Sequence, residues 1–388
     1  MVLRLAALFF LAVMAGLAQL TSAPPASVGM SAERLERAAG LLASEVSAGK
    51  LEAASILVAR RGKIVLHRGF GNLAGPGSAK VQPDSIFLLA SIAKPITVSA
   101  LMLLVERGQV SLNDPVSHYL QGFTGDQRDR VRVRELLSHT SGLPDMLPEN
   151  AELRRAHAPL SAFVAGALKT PLLYTPREGF QYQSMGILLA GEIVERVSGM
   201  RLRDFEQKEI FGPLGMKNTA LGMKPGWKIE DTVRVFEGAR ENKEDNLRFG
   251  ANSAYWRDMG HPWGGQHSTT TDLAILLEAF LNNGSYAGKR WMSPATVAAM
   301  TTDQNTHIKQ AWGLGWALAS SPVWIYSGEL VSPRAFGHSG ATGTVAWADP
   351  STQLLCVILT NRPSSMDGGR TLRVVSNAVN GALDDARR

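Results

Sequence analysis

Two Ser-x-x-Lys tetrads are the residues in this sequence whose types and spacing could activate a nucleophile. One comprises Ser47 and Lys50, and the other comprises Ser91 and Lys94. On a helix, residues three positions apart are neighbours, so the lysine amine can reach the serine hydroxyl. Partial burial lowers the pKa of a lysine from ~10.4 toward neutrality, and the free amine then takes the serine proton. Such a pair is expected to attack a carbonyl carbon and form a covalent acyl intermediate.

The surroundings of the two tetrads favour Ser91 as the nucleophile. Ser47 lies at a helix end beside a glycine, where its lysine should point into water. Ser91 instead opens a strongly apolar stretch, residues 88–107, which predicts a buried helix. The dipole and the free N–H groups at a helix start favour negative charge on the nucleophile or on the attacked carbonyl. Because Pro95 lacks a backbone N–H, regular helix geometry should begin at or near Lys94.

The hydrophobic pattern predicts the elements that must position this pair. Strands at both ends of the chain and helices between them suggest an α/β + α fold: an antiparallel sheet built from N- and C-terminal strands, flanked by helices, with an inserted all-α region. The predicted strands are residues 55–59, 63–69, 313–319, 323–326, 343–347 and 354–359. The predicted helices are residues 31–50, 88–107, 133–138, 160–168, 185–198, 270–282 and 370–386.

Composition limits the classes of protein to which the chain can belong. With 388 residues, 45% of them hydrophobic, it can bury a large core. The net charge of +6 reflects a small excess of basic residues, without the basic and aromatic clusters that bind nucleic acid. The single cysteine, Cys356, lies in an apolar run and should be a buried strand residue. There is no His-Glu-x-x-His or clustered-cysteine pattern, so the sequence predicts neither a metal nor a cofactor.

Residues 1–23 have the layout of a secretory signal peptide. A single basic residue precedes an apolar stretch over residues 5–17, and small residues follow. Cleavage after Ala18 fits the small-residue rule, whereas Pro24 would hinder cleavage after Ala23. An uncleaved N-terminal anchor is the alternative, because the apolar run approaches spanning length when it is extended. The prediction is a secreted or periplasmic protein, whose slightly basic surface permits loose association with an anionic cell envelope.

Six sequence blocks together resemble the class C β-lactamase-related serine hydrolases, a group that includes family VIII carboxylesterases and penicillin-binding-protein-like members. The blocks occur in that family's order and cover nearly everything after the leader. The resemblance implies a β-lactamase/transpeptidase-like serine hydrolase domain over residues 30–388. Its helical part would be residues 91–299, between α/β segments at 30–90 and 300–388. The blocks are SIAKPIT (91–97), LNDPV (112–116), ELLSHTSGLP (135–144), FQYQSMGILLAG (180–191), WGLGW (312–316) and GHSGATG (337–343).

The resemblance assigns roles to residues of these blocks. It makes Ser91 the nucleophile, Lys94 the base and Tyr182 a phenol that shares proton transfer. Simple packing is the alternative interpretation of Tyr182. The implied oxyanion site consists of the backbone N–H groups of Ser91 and Ala341, two fixed donors for the oxygen of the tetrahedral intermediate.

Two positions depart from the family pattern. Ser184 replaces the asparagine of a Tyr-x-Asn motif, and a hydroxyl lacks the amide pair that grips an acylamido group. His338-Ser339-Gly340 replaces a Lys-Thr-Gly motif, and a mostly neutral histidine holds an anion poorly at pH 7. These residues are still expected to line the substrate site. Both departures argue against an efficient β-lactamase and fit the esterases and amidohydrolases of the family.

The sequence contains residues of two other kinds of serine site. His139 could belong to a Ser-His-Asp triad, but the resemblance makes its loop structural, and that interpretation is favoured. The run Gly337-His338-Ser339-Gly340 nearly imitates the nucleophile elbow of an α/β-hydrolase. That fold needs a histidine downstream of its serine, and no histidine follows His338.

These observations predict a secreted serine hydrolase that cleaves a small-molecule ester, amide or peptide through an acyl-enzyme on Ser91. A β-lactamase or a D-amino-acid-specific peptidase acting on cell-wall peptides is the first alternative. A non-catalytic binding protein that retains the fold is the second. The loop-rich residues 225–265, with Trp227, Trp256 and Trp263, form the predicted lid or specificity segment; an exposed insertion without a role is the alternative.

Overall fold

The computed structural model describes residues 19–236 and 243–385. Residues 1–18, which hold most of the predicted signal peptide, lie outside the described part. Within that part no helix is long and apolar enough to cross a bilayer. The strands are β1 (Thr21–Ser22), β2 (Ala53–Arg60), β3 (Lys63–Gly71), β4 (Phe87–Leu88), β5 (Ala220–Leu221), β6 (Gln266–Ser268), β7 (Ser285–Tyr286), β8 (Lys289–Arg290), β9 (Ala317–Leu318), β10 (Phe336–Gly340), β11 (Thr344–Asp349) and β12 (Leu354–Thr360).

Every helix predicted from the pattern occurs, with its ends shifted by a few residues. The two largest shifts are at residues 370–386, where the α-helix ends at Asn380, and at residues 88–107, where it begins only at Ala93 because Leu88 belongs to β4 and Ala90–Ile92 form a 3-10 turn. A π turn follows α7 at Gln207–Phe211. The helices are α1 (Ala32–Ser47), α2 (Ala93–Glu106), α3 (Val133–Leu137), α4 (Asn150–Arg155), α5 (Leu160–Ala167), α6 (Met185–Ser198), α7 (Leu202–Glu206), α8 (Gly212–Leu214), α9 (Lys243–Phe249), α10 (Ala254–Met259), α11 (Thr270–Leu281), α12 (Pro294–Met300) and α13 (Arg370–Asn380).

The large sheet has the strand order β1-β3-β2-β12-β11-β10-β9. Its centre confirms the prediction that the two ends of the chain build one sheet, because β12 pairs antiparallel with β2. The predicted hairpin of β2 and β3 is also present. The pairing is antiparallel, as predicted, except at one edge, where the short β1 runs parallel to β3 and makes the sheet mixed.

Two predicted strands are wrong or too long. Residues 313–319 contribute only β9, because Gly315 adopts a φ of 80° and bends the chain. Residues 323–326 form turns, and their apolar character comes from lining a cavity. The hydrophobic pattern does not predict β10, whose two glycines weaken any strand signal.

Alternate residues of β12 face two separate cores, as the two-residue period of a strand requires. One face of β12 packs against α13, and the other face packs against α11. Helix α13 in turn packs against α1. Cys356 is buried in this strand, as predicted. Because α11 covers the sheet, the predicted helical part at 91–299 does not separate cleanly from the α/β part. The first core receives Leu354, Cys356 and Ile358, and the second receives Leu355, Val357 and Leu359.

Helix α2 is the central element of the helical region. Twelve of its 14 residues are buried, which explains its almost uniformly apolar sequence. It packs against α6 and α7. A small sheet of order β4-β6-β5 joins the segment just before Ser91 to residues far along the chain. The nucleophile candidate therefore lies where the helical region meets the large sheet.

Candidate active site

Ser91 lies in the 3-10 turn that leads directly into α2. Ala90, the residue before it, has a φ of 50°, a left-handed conformation that a residue with a side chain rarely adopts. Such strained residues cluster at functional sites. Pro95 is the third residue of α2, where its missing N–H would have no partner within the helix. The prediction that the helix begins close to Lys94 is confirmed.

The turn between β10 and β11 holds the chain in front of Ser91. Thr342 Oγ1 donates a hydrogen bond to the carbonyl oxygen of Leu88 at 2.8 Å. Thr344 Oγ1 donates to the carbonyl oxygen of Leu89, also at 2.8 Å. Both hydroxyl groups are buried, where a hydrogen bond is costly to lose. These two bonds fix the backbone before the nucleophile against the strand that carries the histidine motif.

Lys94 approaches Ser91 as the tetrad predicts. Its Nζ lies 3.0 Å from Ser91 Oγ and 3.1 Å from the carbonyl oxygen of Trp263. Burial lowers the pKa of Lys94 to about 7, although the negative charge of Asp145 opposes this effect. A neutral amine has two N–H groups and one lone pair. When one N–H donates to the Trp263 carbonyl, the lone pair is left to accept the proton of Ser91.

Tyr182 completes the group of three residues that the sequence predicts. Its ring centroid lies 4.7 Å from Lys94 Nζ. Burial raises the pKa of the Tyr182 phenol well above its ordinary value, and a hydrogen bond with Ser91 opposes only part of that shift. The phenol therefore keeps its proton at neutral pH, and can donate it.

His139 supports Tyr182 and does not approach the serine as a base. Its ring centroid lies 4.7 Å from that of Tyr182. Its Nδ1 accepts a hydrogen bond from the backbone N–H of Gln183 at 3.2 Å. Burial, together with the positive charge of Lys94, holds the pKa of His139 well below its ordinary value. This geometry agrees with the structural interpretation of the loop.

Ser184 is hydrogen-bonded to an acidic side chain. It is buried at the start of α6, and it is not among the described residues that line the cavity over Ser91. Its Oγ donates to Asp145 Oδ1 at 2.6 Å. Asp145 in turn raises the pKa of Lys94 against the effect of burial. The short hydroxyl thus binds a carboxylate that acts on the base, and the expected contact of Ser184 with substrate stays a prediction.

His338 lines the cavity as an uncharged ring. Its Nδ1 lies 2.8 Å from the carbonyl oxygen of Ser339, so Nδ1 carries the proton and donates it. Its Nε2 is buried and has no partner among the described residues, which leaves an acceptor at this wall. Burial, assisted by the charge of Lys94, lowers the pKa of His338 to about 3. A neutral ring cannot hold a substrate carboxylate by charge, in agreement with the prediction.

Ser339, Gly340 and Ala341 also line the cavity, beside Ser91. A Cβ on Gly340 would lie 2.0 Å from the carbonyl oxygen of Leu89 and 2.3 Å from Thr344 Oγ1. Only glycine therefore lets this strand approach the chain before the nucleophile so closely. The approach brings Ala341, the second expected oxyanion donor, to the same cavity as Ser91.

Gly340→Ala tests the importance of this close approach. The added methyl group must push β10 away from the nucleophile turn, and we expect kcat/KM to fall by about 100-fold, since displacements near 1 Å cost that much. The control is Gly40→Ala in α1, where a Cβ would meet nothing within 4 Å. Ester hydrolysis and thermal unfolding of both variants provide the measurement. Wild-type activity in a folded Gly340→Ala variant would contradict the prediction.

The cavity over Ser91 has a volume of about 470 Å³. Its described lining contains five aromatic side chains and His338, but no lysine or arginine. Val323, at 53% exposure, extends the apolar surface to the rim. The lining residues are Ser91, Phe180, Gln181, Tyr182, Trp312, Val323, Trp324, Tyr326, His338, Ser339, Gly340, Ala341 and Ser364.

Sequence reasoning missed several contributors to the site, among them Asp145, which acts on Lys94. The Trp263 carbonyl that binds Lys94 carries no side-chain signal. Trp324 and Tyr326 line the cavity from residues that the pattern predicts as a strand. The last part of the predicted lid or specificity segment, residues 225–265, is not an exposed loop, because Trp256 and Trp263 are buried. Residues 237–242 of that segment lie outside the described residues.

Comparison with known proteins agrees with the geometry of this site. The family model for Beta-lactamase matches residues 37–379 of the chain. A relative from Salmonella gallinarum (strain 287/91 / NCTC 13346), named "Putative D-alanyl-D-alanine carboxypeptidase", is 30% identical over 379 residues. The alignment covers 89% of this chain and 87% of that relative.

Solved structures with a similar fold belong to several kinds of hydrolase. EstCE1, described as a hydrolase with promiscuous acyltransferase activity, has a TM-score of 0.75 at 21% identity, covering 90% of this chain and 99% of that chain. A family VIII carboxylesterase has a TM-score of 0.71 at 22% identity, covering 92% and 99%. D-amino acid amidase from Ochrobactrum anthropi SV3 has a TM-score of 0.67 at 22% identity, covering 90% and 98%.

The match to the family extends over most of the chain and includes every element that carries Ser91, Lys94 and Tyr182. The solved structures share its β-lactamase/transpeptidase-like fold over nine-tenths of its length. The chain belongs to the Beta-lactamase family and is a serine hydrolase.

Proposed function

We propose that this enzyme hydrolyses carboxylic esters or amides whose group beside the scissile carbonyl is apolar and uncharged. The observation that carries the proposal is the pairing of Lys94 Nζ with Ser91 Oγ, 3.0 Å apart, next to a cavity walled by aromatic side chains. Its described lining offers no basic side chain to a substrate anion. Aromatic walls favour an alkyl or aryl group, because burying apolar surface is the main source of affinity there.

Acylation begins when Ser91 Oγ attacks the carbonyl carbon. The proton of the hydroxyl passes to the lone pair of Lys94, which is available because the pKa of this amine is about 7. The carbonyl oxygen becomes negative and is stabilised by the backbone N–H groups of Ser91 and Ala341. Tyr182, which burial keeps protonated, gives a proton to the departing alcohol or amine, and the Lys94 ammonium replenishes it.

Deacylation repeats these steps with water as the nucleophile. The neutral Lys94 amine takes a proton from water, and the hydroxide adds to the acyl carbon. The bond between that carbon and Ser91 Oγ then breaks, and the serine regains its proton.

A substrate panel tests the proposal. Purified protein is offered p-nitrophenyl esters of increasing chain length, D-amino amides, D-alanyl peptides and nitrocefin, and intact-protein mass spectrometry records the mass left on Ser91. We expect the highest kcat/KM for neutral esters with an apolar acyl or alcohol group. A higher kcat/KM for D-alanyl peptides or nitrocefin than for every ester would overturn the proposal.

A D-amino-acid-specific peptidase is the second candidate function. The name of the 30% identical relative from Salmonella gallinarum favours it. A peptide that ends in a free carboxylate needs a cationic partner for efficient binding, as does the carboxylate of a β-lactam. The neutral His338 stands where the family resemblance places a lysine, so the described cavity supplies no such partner. This contrast ranks the peptidase second.

We also propose that the protein is exported and that its leader is removed after Ala18. Support comes from the contacts of the residues that follow: Thr21 and Ser22 form β1 beside β3, and the Ala23 N–H donates to the carbonyl oxygen of Ile64 at 3.0 Å. Cleavage after Ala23 would remove this edge strand. The intact mass of the secreted protein is expected to start at Gln19. A mass starting at Pro24, or an uncleaved chain in the membrane fraction, would contradict the proposal.

A further inference from the structure

A buried carboxyl group, Glu206, lies behind the Ser91–Lys94 pair and contacts two elements that hold it. Glu206 is the last residue of α7 and is fully buried. Its Oε1 lies 3.3 Å from Thr97 Oγ1, one turn after Lys94 on α2. Its Oε2 accepts a hydrogen bond from Gln266 Nε2 on β6. We propose that Glu206 is a positioning residue that acts as a neutral hydrogen-bond donor to Thr97, and that losing its proton disturbs the placement of Lys94.

Proton counting at Thr97 supports a protonated Glu206. Thr97 Oγ1 has one proton and two oxygen neighbours, the Pro262 carbonyl at 3.0 Å and Glu206 Oε1 at 3.3 Å. A peptide carbonyl can only accept, so the threonine proton belongs to the Pro262 contact. The remaining contact then needs a proton from Glu206. The result is a series of two hydrogen bonds, in which Glu206 donates to Thr97 and Thr97 donates to the Pro262 carbonyl.

This series of hydrogen bonds ends at the backbone segment that binds the base, Lys94. Pro262 directly precedes Trp263, whose carbonyl oxygen accepts from Lys94 Nζ at 3.1 Å. The second partner of Glu206 leads to the nucleophile, because the carbonyl oxygen of Gln266 accepts from the Leu89 N–H at 2.8 Å. An ionised Glu206 would draw the Thr97 proton to itself and release the Pro262 carbonyl. The loop that carries the Trp263 carbonyl would then lose one of its hydrogen bonds.

The surroundings of Glu206 contain no charge that would keep it ionised. Burial raises the pKa of Glu206 to about 8, and the hydrogen bonds with Gln266 and Thr97 oppose that rise. No charged group among the described residues contributes to this shift. The titratable and charged groups on the elements packed around it are Lys94 and Glu106 on α2, Glu192, Glu195 and Arg196 on α6, Arg203 and Asp204 on α7, Lys208 and Glu209 in the π turn, and His261 and His267 beside Gln266.

The inference rests on the Ser91–Lys94 chemistry of the proposed function and predicts a bell-shaped pH profile. Reactivity of Ser91 should rise as Lys94 loses its proton near pH 7 and fall as Glu206 loses its proton near pH 8. At pH 9, one unit above the second value, about a tenth of the molecules would keep the Glu206 proton. The alkaline loss at that pH is therefore about tenfold.

Glu206→Gln tests the inference, because an amide keeps a donor to Thr97 and an acceptor for Gln266 but cannot ionise. Rates of Ser91 labelling by a fluorophosphonate are measured from pH 5 to pH 10, so that no knowledge of the natural substrate is needed. The variant should match wild type at pH 7 and exceed it about tenfold at pH 9. The control is Glu278→Gln in α11, another buried glutamate, which accepts a hydrogen bond from Asn282 just after that helix and should leave the profile unchanged.

A substrate-independent readout separates this inference from the proposed function. A buried carboxyl with a raised pKa loses stabilisation as pH rises, so Tm of Glu206→Gln minus Tm of wild type should increase between pH 5 and pH 9. Should Glu206→Gln fail to fold, Thr97→Val breaks the same series of hydrogen bonds and should lower kcat without changing KM. An alkaline limb shared by wild type and Glu206→Gln, or a constant Tm difference, would overturn the inference even if ester turnover is confirmed.

Discussion

Ser91→Ala is expected to reduce ester hydrolysis by at least about 10⁴-fold, to the level of the remaining oxyanion site and binding cavity. The hydroxyl is the atom that forms the acyl bond, and no other described serine lies beside a buried amine as Ser91 does beside Lys94. Its side chain is only partly buried, so the alanine variant should fold with an unchanged Tm. Steady-state kinetics and intact-mass analysis of the acyl-enzyme measure both effects.

The second Ser-x-x-Lys tetrad provides the matched control for this substitution. Ser47 ends α1, and the Nζ of the exposed Lys50 lies 3.1 Å from Glu45 Oε1. Ser47→Ala should therefore retain wild-type kinetics and fluorophosphonate labelling. Undiminished labelling of Ser91→Ala would remove the catalytic assignment, and an absence of labelling in wild type would do the same.

Lys94→Met should lower kcat/KM by about 10³-fold, the usual contribution of a positioned general base. Methionine fills a similar volume without an amine, so the Ser91 proton has no acceptor. In wild type the activity should rise about tenfold per pH unit below pH 7, because only the uncharged amine is competent and the pKa of Lys94 is about 7. Lys94→Met should lack this acidic limb, and a pH–rate profile measures the difference.

The same substitution should make the protein more stable. Burial lowers the pKa of Lys94 from 10.5 to about 7, so the folded state binds the proton less tightly than the unfolded state. The resulting cost is complete below pH 7 and disappears as pH rises toward 10.5. Lys94→Met should thus raise Tm most at pH 6 and little at pH 10. Lys50→Met is the control, and a lower Tm for Lys94→Met at pH 6 would contradict this account.

The sequence predicts the catalytic residues of this site more accurately than it predicts the residues around them. Ser91, Lys94 and Tyr182 are recognisable because their types and spacing reflect the reaction itself, and the structure brings all three together. Ser184 shows the limit of such reasoning. Its position in a motif predicts a substrate contact, but does not reveal that its side chain donates to Asp145.

In the fold, long apolar patterns are likewise more reliable predictors than short ones. The helices and the pairing of β2 with β12 follow from long apolar patterns, which depend on burial along a whole element. Residues 323–326 are apolar for a different reason, because Trp324 and Tyr326 wall a cavity instead of pairing in a sheet. Single-residue apolarity cannot distinguish these two causes. Backbone groups such as the Trp263 carbonyl have no sequence signature at all.

The two threonine bonds across the site also affect how the molecule reaches its active form. Thr342 and Thr344 are separated by 254 and 255 positions from the residues whose carbonyls they bind, immediately ahead of Ser91. Contacts between such distant parts of a chain close large loops and form late, so they slow folding. A newly made chain would therefore acquire a reactive Ser91 only after its last quarter has joined the sheet. Incomplete chains would not form the acyl-enzyme.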